Sequence, residues 1–181
     1  MKHPLKVGIV GAHRGSSFIR PFTTITETEV TALCDLNENT LKAVAEKFGI
    51  QKRFTDYEKM LEDEDIDIVV LGTPENLHVP QSILGLKAGK HVISEVTAAT
   101  SIEQCYELVR AVRSSQTKYM MAENSCYSKS NVLIKNMVRQ GLFGEIYFGE
   151  GEYVHNVKSL HHDSQGNPTW RIGLKLNLLA G

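Results

Sequence analysis

The sequence predicts an α/β fold, a doubly wound parallel sheet followed by the start of a second, α+β domain. Three observations carry that prediction. Leu5 to Gly15, LKVGIVGAHRG, is an apolar run that stops at a glycine-bearing turn and gives way to a helical pattern. Strand-like and helix-like segments then alternate as far as Glu123, as parallel strands joined by crossover helices must. One of those strands, IDIVVLGTP, is apolar almost without interruption, the mark of a strand covered on both faces.

The first strand ends at Gly11. A tight turn after a buried parallel strand brings a helix N-terminus, with its unpaired backbone N–H groups, to where a pyrophosphate can sit. A GxGxxG frame beginning at Gly11 puts His13 at the second glycine and Ser16 at the third, with Gly15 one place early. A turn this degenerate is equally a plain strand-to-helix connection. As a phosphate turn it makes Gly11, His13, Arg14, Gly15 and Ser16 candidate cofactor contacts. Phe18, Ile19, Phe22 and Ile25 follow at helical spacing, and TETEVTALCDL is a second strand with Asp35 at its carboxyl end. An acid about 20 residues past the glycines accepts hydrogen bonds from the adenosine ribose and repels a 2′-phosphate, so Asp35 favours NAD over NADP. Its competing role is a cap on the next helix, which Asn37 and Asn39 could fill instead.

Leu41, Val44, Ala45 and Phe48 form an amphipathic helix closed by Gly49. Lys52 to Phe54 is a short strand and Tyr57 to Leu61 a brief helix, while EDEDID is a solvated connection. The apolar strand that follows ends in Gly72-Thr73-Pro74. Because strand carboxyl ends face the ligand crevice of such sheets, Thr73, Pro74, Asn76 and His78 are further cofactor candidates, although Thr-Pro is also a common helix entry. A helix from His78 to Ala88 stops at Gly89, HVISEV is a fifth strand, Ser101 caps a helix reaching Ser115, and Lys118 to Ala122 is a sixth strand. The alternation predicts the strand order 3-2-1-4-5-6.

At Glu123 the pattern changes, giving domains 1–123 and 124–181. SKSNVLIKNMVRQG is an amphipathic helix with a glycine stop, and GEIYFGEGEYVH alternates like a strand with one polar face. Ile146, Phe148, Gly149 and Tyr153 on that strand present an apolar edge, a template for a second copy, so a homo-oligomer is expected. The rest of the chain is turn-rich.

A length of 181 residues allows one full domain and part of another. With 41% hydrophobic and 23% charged residues the composition is that of an ordinary globular protein. A net charge of -1 without a basic run weighs against a nucleic-acid partner. The longest apolar stretches fall far short of the ~20 residues of a membrane helix, and MKHPLK leads into a strand without a signal-peptide core. A cytoplasmic protein with no membrane partner is expected. Cys34, Cys105 and Cys126 are odd in number and lack CxxC spacing, so buried thiols are preferred to disulfides or zinc. His155, His161, His162 and Asp163 are the residues to consider for a metal, but adjacent histidines rarely face one ion, and none is expected.

Four segments in order, GIVGAHRGSSF, ALCDLNENTL, GTPENLH and AGKHVISEV, together resemble the Gfo/Idh/MocA oxidoreductases. AENSCYSKSNVLIKNMVRQGLFGEI resembles the helix and strand that follow in that family, so the resemblance covers essentially the whole chain. It implies an N-terminal Rossmann domain binding NAD(P), a C-terminal α/β domain with an open sheet that family members use for self-association, and a sugar or sugar-like polyol as substrate. Glu95 matches the acid of the family's Glu-Lys-Pro motif. Val96 stands where the family carries the lysine that approaches the reacting hydroxyl, and Thr97 replaces the proline. Valine has no head group with which to polarise or deprotonate an alcohol.

Within the family, EVTAA, MAEN, NMVRQGLFGE and GEYVH are similar to motifs of the NAD-dependent α-N-acetylgalactosaminidase-like glycosidases, where Glu-Val-Pro-Ala-Ala is usual. That branch implies transient oxidation of the sugar C3 hydroxyl by NAD, elimination of the leaving group through the acidified C2 proton, water addition and hydride return, outside the two-carboxylate scheme. It makes Glu95, Tyr153 and His155 the catalytic candidates, Tyr153 as a substrate or acid–base residue with His155 beside it. Tyr153 is equally read as a strand tyrosine packed on the sheet. The branch's Tyr-x-x-His pair does not occur in these 181 residues. A conventional sugar or polyol dehydrogenase and a non-catalytic NAD-binding module therefore stand as alternatives.

Overall fold

In the computed structural model, which describes residues 3–154, 156–163 and 165–173, the apolar runs become the strands of one parallel sheet. They are β1 (Leu5–Val10), β2 (Thr28–Cys34), β3 (Lys52–Phe54), β4 (Ile68–Leu71), β5 (His91–Ser94) and β6 (Tyr119–Met121). Their order is β3-β2-β1-β4-β5-β6, the order that the alternation predicts. The chain leaves β1 in one direction for β2 and β3 and returns for β4, β5 and β6, so the reversal point where such sheets hold ligands lies between β1 and β4.

Both faces of the sheet's central strands are covered, which is why β1 and β4 need no polar side. Alternate residues of β4 show the division. Val69 and Leu71 join Met60, Val79, Leu86 and Leu108 on one face, under α3 (Tyr57–Leu61), α4 (His78–Lys87) and α5 (Ile102–Ser114). Ile68 and Val70 join Ile19, Leu41 and Ala45 on the other, under α1 (Ala12–Thr24) and α2 (Glu38–Phe48).

Local chemistry sets the helix ends. Asn37 caps α2 by accepting from the Thr40 N–H, and Gly49 ends it at φ 72°. Asp56 caps α3 and Ser101 caps α5, each through its side chain. Helix α1 is different: its N-cap is Gly11, at φ 81°, and no side chain caps it.

The chain divides into two units, one ending at Glu123 and one beginning at Asn124. In the second unit, Ser128 caps α6 (Lys129–Arg139) by accepting from the Asn131 N–H. A turn around Asp163 leads to α7 (Trp170–Gly173), where the Arg171 guanidinium lies 4.3 Å from the Trp170 ring centre. The strand expected over 144–155 does not form among the described residues, for which 144–154 carry no ladder. An alternating sequence becomes a strand only where a neighbour accepts its backbone hydrogen bonds, and the described part of this unit contains no other strand, only the isolated bridge between His162 and Pro168.

Candidate functional site

Register brings the predicted residues into one row. Val10 pairs with Cys34 on one side and Leu71 on the other, and Leu71 pairs with Ser94. The next residue after each of the four, Asp35, Gly11, Gly72 and Glu95, therefore stands one step beyond the sheet on its carboxyl edge. The backbone reinforces this row: Gly11 N–H donates to the Cys34 carbonyl, Gly72 N–H to that of Val10, and Glu95 N–H to that of Leu71.

Three glycines let the backbones meet at the reversal point. A Cβ on Gly11 would lie 2.6 Å from the Gly72 carbonyl oxygen, and one on Gly72 would lie 2.7 Å from the Gly15 nitrogen. A Cβ on Gly15 would lie 2.5 Å from Cγ2 of Ile9. Gly15, one place out of frame in the sequence, thus performs the close helix–strand packing for which the third glycine of the motif is needed. The first backbone bond of α1 runs from Gly15 N–H to the Gly11 carbonyl, at 2.7 Å. The N–H groups of Ala12, His13 and Arg14 precede it and are left for a ligand at the positive end of the helix. Ser16 and Ser17 turn their hydroxyls onto the carbonyls of His13 and Arg14, so this turn offers an anion its main chain rather than serine side chains.

Arg14 reaches across the edge to Glu95, Nη2 to Oε1 at 2.6 Å. The Glu95 side chain is 12% exposed and that of Arg14 59%. The second carboxylate oxygen, Oε2, is buried and accepts no hydrogen bond. Val96 follows at the end of β5, and the Val96–Thr97 peptide is cis.

Asp35 uses one oxygen, Oδ1, to accept from the Asn37 N–H at 2.8 Å. Asn37, not Asp35, caps α2, and Asp35 holds the turn that leads into it. The neighbouring Cys34 thiol is pushed up to about 12, first by burial and then by the charges of Asp35 and Asp56.

On the β4 side, Thr73 turns inward: its hydroxyl donates to Oε1 of Gln81 at 2.6 Å, and its carbonyl faces Nε2 of His78 at 2.9 Å. Pro74 opens the single turn Glu75–Leu77, and Asn76 on that turn is exposed. His78 is 1% exposed, with Nδ1 2.7 Å from the Thr97 carbonyl. Sequence reasoning does not reach this inward role of His78, nor the Arg14–Glu95 pair, since 81 positions separate the pair. The Gly72 approach does have a signal, a Gly-Thr-Pro end on the strand beside the glycine turn.

Tyr153 lies in the second unit with its side chain exposed, and His155 falls outside the described residues. No group of three metal-ligating side chains occurs among the described residues. Asp163 spends its carboxylate on the N–H groups of Gln165 and Asn167 and on the Asn167 amide. These bonds hold its carboxyl below the usual range. No described helix is long and apolar enough to cross a membrane. A hollow of about 430 Å³, lined by Leu86, Lys87 and Ser114 among others, lies at the amino ends of β5 and β6, away from the site.

The groups at the carboxyl edge fit a dinucleotide. Three N–H groups at the start of α1 would meet a pyrophosphate, the glycines let the turn and the end of β4 approach each other, Asp35 follows β2 where the motif has its ribose acid, and the buried Oε2 of Glu95 accepts no hydrogen bond. Residues 5–123 match the family model described as Gfo/Idh/MocA, oxidoreductase family, NAD-binding Rossmann fold. The chain is 35% identical to a glycosyl hydrolase family 109 protein of Solibacter usitatus, over 96% of this chain and 42% of that protein. It is 34% identical to an alpha-N-acetylgalactosaminidase of Shewanella oneidensis, over 85% of this chain and 36% of that protein. Among solved structures it is similar to the WlbA dehydrogenase of Bordetella pertussis in complex with NADH and UDP-GlcNAcA, at TM-score 0.76 and 28% identity, covering 81% of this chain and 43% of that one. The chain thus spans about two fifths of the length of these relatives.

Proposed function

The chain belongs to the Gfo/Idh/MocA oxidoreductase family and carries its NAD-binding Rossmann fold, and from that premise we propose that it holds the cofactor for a sugar-acting, NAD-dependent glycosidase. The observation that carries this reading is Val96. It follows Glu95 at the end of β5, where the resemblance calls for a lysine, and it leaves that position without a group to deprotonate an alcohol. The relatives named as glycosyl hydrolases and an N-acetylgalactosaminidase support the same side.

Bound NAD supplies a reversible hydride acceptor for the sugar C3 carbon. The chain's own residues bind and orient it. The N–H groups of Ala12, His13 and Arg14 take the pyrophosphate, with Gly11 and Gly15 shaping the turn and the Ser16 hydroxyl held on the His13 carbonyl. Asp35 takes the adenosine ribose through Oδ2 and disfavours the 2′-phosphate of NADP. Thr73, Pro74, Asn76, His78 and Glu95 form the wall on the other side of the reversal point, with Glu95 Oε2 as an acceptor for a ligand hydroxyl. Tyr153 and His155 are assigned to the sugar. The exposed apolar side chains of Leu133, Tyr147 and Phe148 support a homo-oligomer, and the exposed thiol of Cys105 suits a reducing, cytoplasmic compartment.

An aryl N-acetylgalactosaminide tests the activity. Release of the aryl group without net NADH is expected, whereas accumulation of NADH with a sugar or polyol would make the chain a dehydrogenase like the solved relative named above. Retained NAD with neither activity would leave it a binding module.

A further inference from the structure

His78 is the one buried histidine of the NAD-binding unit, and both of its ring nitrogens face carbonyl oxygens. Nδ1 lies 2.7 Å from the Thr97 oxygen and Nε2 2.9 Å from the Thr73 oxygen. A carbonyl oxygen only accepts, and a neutral imidazole carries one N–H and one lone pair. Either neutral tautomer therefore sets a lone pair against a carbonyl lone pair at hydrogen-bond distance, in a place that water does not reach. Only the doubly protonated ring satisfies both contacts, and charge-assisted donors form the stronger bonds.

The two carbonyls belong to the two loops that flank the cofactor's far side. Thr73 follows Gly72 at the end of β4, and Thr97 follows Glu95 and Val96 at the end of β5. Beside the Arg14–Glu95 pair and the Glu95 N–H bond to the Leu71 carbonyl, the Thr73 hydroxyl bonds to Gln81 and the Thr97 hydroxyl to the Ala99 carbonyl two residues on. We propose that His78 is the positioning residue of this site and acts as an imidazolium, donating to Thr73 and Thr97 at once and so tying the β4 and β5 loops into one wall.

The charged groups around this tie are few. Glu75 lies on the turn before α4, and Glu95 lies on the tied loop, where Arg14 of α1 already neutralises it. The apolar face that α4 shares with α5 brings Val79 and Leu108, and the Gln81 side chain beside Thr73 is neutral. The site therefore holds the ring's charge by hydrogen bonding to main-chain carbonyls rather than by an ion pair. When the ring loses its proton, one carbonyl is released.

The proposal rests on the NAD reading for its effect on affinity but not for the protonation state itself, and the experiment separates the two. Nitrogen-15 spectra of the histidine rings of the full 181-residue chain, with His78 assigned through its own side-chain correlations, report both nitrogens directly. Two protonated nitrogens at pH 7 are expected. A neutral tautomer at pH 7 overturns the proposal. In parallel, the Kd for NAD is measured from pH 6 to 9 in the unmodified chain and in His78→Gln. The unmodified Kd is expected to rise with pH by up to about tenfold per unit, the ceiling for one linked proton, and the variant's to be flat. A parallel rise in both would overturn the positioning role even with a protonated ring. Should the variant not fold, a flat profile in the unmodified chain while the ring visibly titrates is the contradicting result. If NAD does not bind at any pH, the NAD reading fails while the ring spectra still decide the protonation state.

Discussion

Single residues at the carboxyl edge do separable jobs, and substitution separates them. Asp35→Ala removes the carboxylate proposed to accept from the ribose and repel a 2′-phosphate, so the preference for NAD over NADP should narrow by about tenfold, roughly 1.4 kcal/mol, in titrations with the two dinucleotides. Equal affinities in the unmodified chain would take Asp35 out of this role. Gly72→Ala drives a methyl onto the Gly15 backbone, an overpacking that costs about 1–3 kcal/mol, and it should weaken NAD binding as well as stability. Gly49→Ala is the control: it meets nothing within 4 Å, so it should lose about 1 kcal/mol to left-handed strain and leave NAD affinity unchanged. The Cys34 thiol, pushed up to about 12 chiefly by burial, should resist alkylation at mildly alkaline pH while the exposed Cys105 reacts, as mass spectrometry of the labelled chain would show. Much of this row is legible in the sequence, because Gly11, Asp35 and Glu95 each end an apolar run. The inward turn of His78 is not, since a histidine opening a helix looks the same in sequence whether it faces solvent or two carbonyls.

At the scale of elements, α1 and β5 are coupled through Arg14 and Glu95. The arginine side is open to solvent while the Glu95 carboxylate is mostly buried, so the intact pair adds little to stability although stripping Arg14 from the buried acid costs some. Its worth to binding is larger, because Arg14→Met leaves a mostly buried carboxylate uncompensated beside the phosphate turn. NAD affinity should fall about tenfold, and Arg14→Met with Glu95→Gln should recover part of that loss in a double-mutant cycle. Additive losses would mean the two do not act together. A second coupling joins β3 to the loop before β4, where Lys52 contacts Asp63 at 2.8 Å and Asp65 at 3.0 Å. Hydrogen bonding to Lys52 holds the Asp63 carboxyl below its usual range, and the two acids raise Lys52. The carboxylate's contribution is present above its ordinary pKa of about 4 and is lost as pH falls through the depressed value. Lysine's is present below about 10.4 and is lost as pH rises through the raised value. Lys52→Met should therefore flatten the acid limb of a stability–pH curve, which unfolding in denaturant at several pH values checks. The elements themselves follow from local signals, the caps at Asn37, Asp56 and Ser101 and the stop at Gly49. The strand expected at 144–155 does not, because its formation depends on partners that alternation alone cannot supply.

Across the whole molecule, the first unit buries its central strands on both faces but leaves Met120 and Met121 of β6 exposed, and the second exposes the apolar side chains of α6 and of the segment after it. Leu133, Phe143, Tyr147 and Phe148 are all at least half exposed, and an apolar surface of this kind is covered in oligomers. Light scattering over a dilution series should show mass falling with concentration, and a strictly monomeric chain would contradict the association. The strand order was legible from the alternation of strand and helix because crossover handedness leaves few arrangements. The proposed association is legible only as exposed hydrophobicity, which names no partner geometry. Calorimetric titration of NAD into the full chain and into Gly72→Ala bears most directly on the site at the carboxyl edge. One NAD per chain, bound more tightly than NADP and weakened in a folded Gly72→Ala, is the expected result. A folded chain that takes up no NAD, or a folded Gly72→Ala that binds it unchanged, would contradict the placement of the cofactor between β1 and β4.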